Sequence, residues 1–194
     1  MSNIKNMSNT KTNTNKPTGK INFREHIHRH MNFPKKGVAY WDCTPIFTHP
    51  VIFRKAILTL IAHFKNKNIT KIAAIEAKGF VIGVALAFTM NKPLVLIRKP
   101  ALLPGKVLRE TFVKEYGIGE YQLQDGALNR GDSVLIVYDI LAGAGATQAA
   151  INLVEKAGAT VSGCAFLTEL LYLEGREALQ GYDLFSLVKF NKKN

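Results

Sequence analysis

Cysteine, acids and long apolar runs are all scarce in this 194-residue chain. Only Cys43 and Cys164 are present, far apart in sequence; that argues against a disulfide framework and for a reducing compartment. No apolar stretch approaches the roughly 20 residues that a membrane-spanning helix requires, so no membrane partner is expected. The opening residues, MSNIKNMSNTKTNTNKPTGK, carry lysines but no apolar core of the kind a secretory signal needs. A cytoplasmic location is the expectation. Their Asn/Thr/Lys bias, without apolar periodicity, reads as a disordered basic tail over 1–22, ahead of a single domain over 23–194. Acids number 14 against 26 lysines and arginines, for a net charge of +12. The basic side chains form no stripe interleaved with aromatics, which argues against nucleic acid. An anionic phosphorylated substrate and dispersed, solvated lysines account for the excess.

What is present is enough apolar content, 47%, to bury one good core. Phe53, Ala56, Ile57, Leu60, Ile61 and Phe64 follow the i, i+3, i+4, i+7 spacing of a helix over Pro50 to Phe64 packed on one face. Strands are predicted at Lys71 to Ile75, Leu94 to Ile97, Thr111 to Tyr116, Tyr121 to Leu123, Val134 to Val137, Val161 to Leu167 and Leu184 to Phe190. Helices are predicted over Gly79 to Met90, Thr147 to Lys156 and Glu174 to Gln180, with a loop over Pro100 to Glu110. HIHRH (His26 to His30) reads as a short amphipathic lead-in helix with exposed histidines. Its i,i+4 pair lacks the glutamate of an HExxH metal motif. Strands alternating with helices give an α/β fold with a mostly parallel sheet, whose ligands sit at the carboxyl ends of the strands. That rim collects Glu76 to Gly79, Arg98, Lys99 and Asp139 to Thr147.

The richest segment on the rim is SVLIVYDILAGAGATQAA (Ser133 to Ala150). An apolar strand meets an acid, Asp139, and then a run of Gly and Ala before a helix. Backbone N–H groups at such a turn and helix N-terminus point at an anion, and small residues let it approach.

Five further segments occur alongside it: NFPKKGVAYWDCTPIFTHP, IEAKGFVIGVALA, LIRKPALLPGK, KEYG and TELLYLEGREAL. Taken in this order, over about Asn32 to Phe190, the chain resembles the adenine phosphoribosyltransferases, a purine-salvage branch of the type I phosphoribosyltransferases. The resemblance implies that fold, with a small hood and a flexible loop, and a reaction of adenine with 5-phosphoribosyl 1-diphosphate giving AMP and diphosphate. It also implies Mg²⁺ carried with the diphosphate, no protein side chains as metal ligands, and a homodimer. By the same resemblance, Ala142, Gly143, Ala144, Gly145 and Ala146 with Thr147 form the 5′-phosphate loop, and Asp139 reaches the ribose hydroxyls. Glu76, Ala77 and Lys78 meet the diphosphate, with Arg98 and Lys99 adding positive charge. Ala39, Tyr40 and Trp41 form the adenine segment, Tyr40 stacking on the purine or, alternatively, serving as ordinary core. The stretch Ala101 to Glu115 closes over the site, with Glu115 near the base and Tyr116 beside it; a plain surface hairpin is the alternative.

Departures from the family pattern fall on these contacts. Its paired acids are Tyr138 and Asp139 here, its Ala-Thr-Gly-Gly-Thr loop reads Ala142-Gly143-Ala144-Gly145-Ala146, and an arginine is Lys78. A lysine is Leu102, the glycine before it Ala101, and the arginine of the adenine segment Trp41. A hydrogen bond to a charged group contributes roughly 1.5–3 kcal/mol, so two lost hydroxyls cost about 3–6 kcal/mol, or on the order of 10²–10⁴ in affinity. Two other functions therefore stand beside the transferase: a non-catalytic purine- or nucleotide-binding protein of the same fold, and a transferase with altered base specificity.

Overall fold

The structure, a computed structural model, describes residues 21–113 and 117–191. After a 3-10 turn at Phe23–His26, strand β1 (His28–Met31) pairs antiparallel with β2 (Ala39–Asp42), so the helix expected over His26 to His30 is a hairpin arm instead. Asn32 and Gly37 take positive φ in the connection, and the Gly37 N–H donates to Asn32 Oδ1 at 2.9 Å. Pairing with partners eight to fourteen residues away overrides the local helical spacing. His26 and His30 consequently share no helix face.

Next come α1 (Thr44–Thr48), α2 (Pro50–Phe64), β3 (Lys71–Ile75), α3 (Lys78–Met90) and β4 (Leu94–Arg98). β5 (Val107–Val113) and β6 (Ile118–Gln124) form an antiparallel hairpin; β5 begins inside the stretch expected to be loop, pairing Val107 with Gln124. β7 (Ser133–Leu141), α4 (Gly145–Lys156), β8 (Thr160–Leu170), α5 (Gly175–Ala178) and β9 (Leu184–Phe190) complete the chain. The main sheet has the order β5-β6-β4-β3-β7-β8-β9, parallel from β4 to β9, with β6 antiparallel to both β4 and β5.

β3 lies at the centre, and from Ile72 to Ile75 its side chains are wholly buried, as a strand covered on both faces requires. On one face Leu60 and Phe64 of α2 and Ile82 and Leu86 of α3 meet Ile72, Leu135 and Val137. On the other, Ala150, Leu153 and Val154 of α4 meet Ala73, Ile136 and Phe166. Two glycines one turn apart set how closely α3 lies on the sheet. A Cβ on Gly83 would fall 2.6 Å from the Cβ of Ala74, and one on Gly79 would fall 2.7 Å from the Val137 carbonyl oxygen. This close approach lays Lys78, at the start of α3, alongside the end of β7.

β7 runs four residues beyond the predicted Val137. β8, eleven residues to the nine of β7, pairs with it as far as Leu141 opposite Glu169, so the backbone stays extended until the small residues begin at Ala142. Tyr138 and Asp139 therefore lie within a strand rather than after one. Helix α5 is a single turn, shorter than Glu174 to Gln180, because Glu174 adopts φ 54° and Gly175 packs against Ala142.

Glu169 is the buried acid of the sheet's far side. Arg176 donates to both its oxygens at 2.7 Å, and Lys189 lies 4.0 Å away. Burial opposes its ionisation, but Arg176, Ser186 and Lys189 prevail and hold the carboxyl below the usual glutamate range. The stability it contributes is thus present above the unfolded glutamate pKa and lost as pH falls through the lower folded value. Glu169→Gln should reduce unfolding free energy at neutral pH by about 3 kcal/mol, the lower end of the range for breaking a buried pair because the guanidinium is partly solvated. In thermal melts from pH 7 to 3 the variant should also show a shallower acid limb than the wild-type protein.

Candidate active site

At the carboxyl ends of β3, β4 and β7 lie two adjoining cavities, of about 590 and 370 Å³. Tyr138, Ile140, Ala77 and Ala142 line both, so the end of β7 is their shared wall.

The smaller cavity lies under the β1–β2 hairpin. Ala39, Tyr40 and Trp41 line it, together with Lys78, Asp139, Tyr172 and Leu173. Tyr40 is half-buried, held edge-on by Phe33 at 5.1 Å between ring centroids, and its hydroxyl accepts from Lys78 Nζ at 2.9 Å. It is a cavity wall rather than core. The Trp41 indole, by contrast, turns inward: it packs on Phe190 with centroids 3.9 Å apart, and its Nε1–H donates to the Tyr172 hydroxyl at 3.2 Å. Alternation along β2 produces that split, one side chain facing the cavity and the next the core.

Asp139 is 2% exposed, and its Oδ2 lies 2.7 Å from Lys78 Nζ. Burial acts to lower the pKa of the Lys78 ammonium, but Asp139 and the bond to Tyr40 outweigh it and hold the lysine above its ordinary range. Cys43 points its Sγ at the same carboxylate from 3.9 Å. Burial and then Asp139 push this thiol up to about 12, so it is a protonated donor and not a nucleophile.

The larger cavity lies between the Gly/Ala loop and the β5–β6 hairpin. Its walls include Phe112 and Tyr121, stacked at 4.8 Å, as well as Tyr138, Ile140 and Leu173. Burial raises the Tyr138 phenol far above the ordinary tyrosine range, with Tyr121 and Asp139 adding to the shift. A neutral ring thus stands at the position where the family pattern has an acid. Lys99 is the one cationic side chain among the described residues lining this cavity, against the carboxyls of Glu76 and Glu120. Arg98, expected to add charge to the cavity, is engaged elsewhere: its Nε donates to Glu76 Oε2 at 3.2 Å and its Nη1 to the Leu102 carbonyl at 3.1 Å. The same Glu76 oxygen accepts the Lys99 backbone N–H at 3.1 Å. Lys78, expected beside the diphosphate, lines only the smaller cavity.

The floor of the larger cavity is the start of α4. The first bond of the helix is from the Gln148 N–H to the Ala144 carbonyl, so the N–H groups of Gly145, Ala146 and Thr147 have no intrahelical acceptor. Ala144, the N-cap, supplies no side-chain cap. Together with the helix dipole these amides make an anion site built from backbone. Thr147, 1% exposed, lines the cavity one residue after the position where the family pattern has a threonine. Glu115 and Tyr116 lie outside the described residues.

No group of three or more His, Cys, Asp or Glu side chains suited to a metal occurs among the described residues. The wall formed by Phe112, Tyr121, Tyr172 and Leu173 was not assigned from sequence. TELLYLEGREAL is one of the matching segments, but nothing local shows that the 3-10 turn at Leu171–Leu173 folds back over β2. Gly145 is where the β5–β6 hairpin meets the loop, since a Cβ there would lie 2.7 Å from the Val113 carbonyl oxygen. Gly145→Ala should force the hairpin off the loop and reduce unfolding free energy by about 1–3 kcal/mol, as overpacking does, measurable by urea denaturation.

A family model described as a phosphoribosyl transferase domain matches residues 46–190. The chain is 41% identical over 169 residues to an adenine phosphoribosyltransferase of Idiomarina loihiensis, covering 86% of this chain and 96% of the relative. Among solved structures, the adenine phosphoribosyltransferase of Thermoanaerobacter pseudethanolicus superimposes with a TM-score of 0.84 at 38% identity, covering 87% of this chain and 98% of the other. The Giardia lamblia enzyme complexed with 9-deazaadenine gives 0.84 at 32% identity, covering 88% and 97%. Matched by the family model over 46–190 and by these relatives over most of its length, with a backbone anion site on the floor of its larger strand-end cavity, the chain belongs to the adenine phosphoribosyltransferase family.

Proposed function

We propose that the protein joins adenine to 5-phosphoribosyl 1-diphosphate, forming AMP and diphosphate. The observation that carries this reading is the order of the cavities along β7. An aromatic-walled cavity at Tyr40 adjoins the Asp139 carboxylate, and a helix N-terminus follows within six residues. Base, ribose and 5′-phosphate occupy those places in turn, and the diphosphate lies in the larger cavity toward Glu76, Ala77 and Lys99. A ring nitrogen of the base bonds to the anomeric carbon as the bond to the diphosphate oxygen breaks, its electron pair leaving with the diphosphate, and the proton lost from the imidazole ring passes to the departing diphosphate or to solvent. Tyr40 orients the base by its face. Asp139 accepts from the ribose hydroxyls and places negative charge beside the electron-poor carbon. Apolar walls at Phe112, Tyr121 and Leu173 exclude water. The resemblance assigns Glu115, outside the described residues, a role at the base.

Magnesium fits this site as a companion of the diphosphate. Asp139 is already paired with Lys78, and Glu76 with Arg98 and the Lys99 N–H, so the described residues build no cage. When bound, the ion neutralises charge on phosphate oxygens. A homodimer is supported by the stripe Val81, Val84 and Phe88 on α3, exposed by 43%, 55% and 89%. Among the described residues no helix is long and apolar enough to cross a membrane; together with two unpaired cysteines this supports a cytoplasmic location.

The test is AMP formation from adenine, 5-phosphoribosyl 1-diphosphate and Mg²⁺, with a no-metal control. Product is expected. Folded protein that binds AMP but forms none would favour the non-catalytic reading, which the loss of loop hydroxyls supports. Open space surrounds the position of a Cβ on Gly143, so threonine fits there. Gly143→Thr with Ala146→Thr should raise kcat/KM for 5-phosphoribosyl 1-diphosphate by roughly tenfold or more, the yield of one charged hydrogen bond.

A further inference from the structure

Lys78 occupies a position where the family pattern has an arginine, in the segment the resemblance places on the diphosphate. Its ammonium faces the other way. Nζ lies 2.7 Å from Asp139 Oδ2, donates to the Tyr40 hydroxyl at 2.9 Å, and sits 4.9 Å from the centroid of the Tyr40 ring. It lines the cavity of the base and not the larger one.

The surroundings explain the orientation. The charged and titratable groups that bear on Lys78 are Asp139 from β7 and Tyr40, Asp42 and Cys43 from β2 and its end. Two of these are carboxylates on the base side. An ammonium at the first residue of α3 also feels the positive end of that helix, which disfavours it unless an acid is in contact. A lysine reaches Asp139 as a compact point charge with three protons to donate; an arginine presents a rigid planar fork on a three-methylene stem and meets a carboxylate in a different geometry.

We propose that Lys78 is a positioning residue of the base-and-ribose half of the site. It ties the Tyr40 platform on the hairpin to the Asp139 carboxylate on the sheet, and leaves the diphosphate to backbone N–H groups and Lys99. This inference rests on the AMP-forming reading of the two cavities. Its consequence is a division of labour opposite to the one the motif implies: changing residue 78 alters nucleotide affinity and spares diphosphate affinity.

Calorimetric titration of the full chain with AMP and, separately, with Mg²⁺-diphosphate tests it without requiring turnover. Lys78→Met should weaken AMP at least tenfold and change diphosphate less than twofold. Lys78→Arg should weaken AMP and tighten diphosphate, because the longer fork reaches the larger cavity. Tyr40→Phe keeps the ion pair and the ring while removing the hydroxyl that Lys78 holds, so it decides the matter even if Lys78→Met does not fold; it should weaken AMP about threefold to tenfold and leave diphosphate unchanged. Equal losses for both ligands, or a loss confined to diphosphate, would overturn the inference while leaving the AMP-forming reading intact. Wild-type protein that binds neither AMP nor adenine would overturn that reading, and the inference with it.

Discussion

β7 and β8 stay paired past the end of β3, and that extra length organises the site. Extension to Leu141 opposite Glu169 carries Tyr138 and Asp139 clear of the central strands on a rigid ladder. The chain then turns through three small residues into α4, so a carboxylate, a ring and a helix N-terminus follow one another without a flexible connection. Glycines bring the other elements to this edge. Gly79 seats α3 on β7, Gly145 admits the β5–β6 hairpin, and Gly175 lets α5 lie against Ala142, each where a Cβ would meet backbone within 2.7 Å or less. The site is thus a place where backbones crowd, and side chains fill what remains.

That crowding bears on how a strongly basic chain holds an anion. Its net charge of +12 is not concentrated in the larger cavity, where Lys99 faces two carboxyls. Arg98 and Lys78, the other cations of the rim, are each committed to an acid at hydrogen-bonding distance. The proposed reading therefore gives phosphate recognition to fixed backbone dipoles at the start of α4, which need no reorganisation when an anion arrives. Walls of Phe112, Tyr121, Tyr138 and Leu173 keep water out and strengthen such dipoles.

The sequence carried most of this architecture openly, because its signals were local and repeated. Helix α2 matches the stripe from Phe53 to Phe64 residue for residue, and the ordered motifs led to the family. Elements that depend on distant partners were harder to see. His28 to Met31 is a strand only because Ala39 to Asp42 lies beside it, and β7 is long only because β8 is. Within the site, Tyr40, Asp139 and Thr147 line the cavity walls, whereas the directions of Lys78 and Arg98 depend on which carboxylate each meets. No spacing rule contains that information. Tyr172 and Leu173 reach the smaller cavity through a turn whose path is fixed by tertiary packing alone.

The central claim is that backbone amides of α4 hold the 5′-phosphate without the usual hydroxyls. Comparing AMP with adenosine by isothermal titration calorimetry tests it most directly, since the two ligands differ only in that phosphate. Two or more charged hydrogen bonds from backbone N–H groups predict AMP tighter by at least about a hundredfold. Equal affinities would contradict the account, showing that the start of α4 does not hold the phosphate.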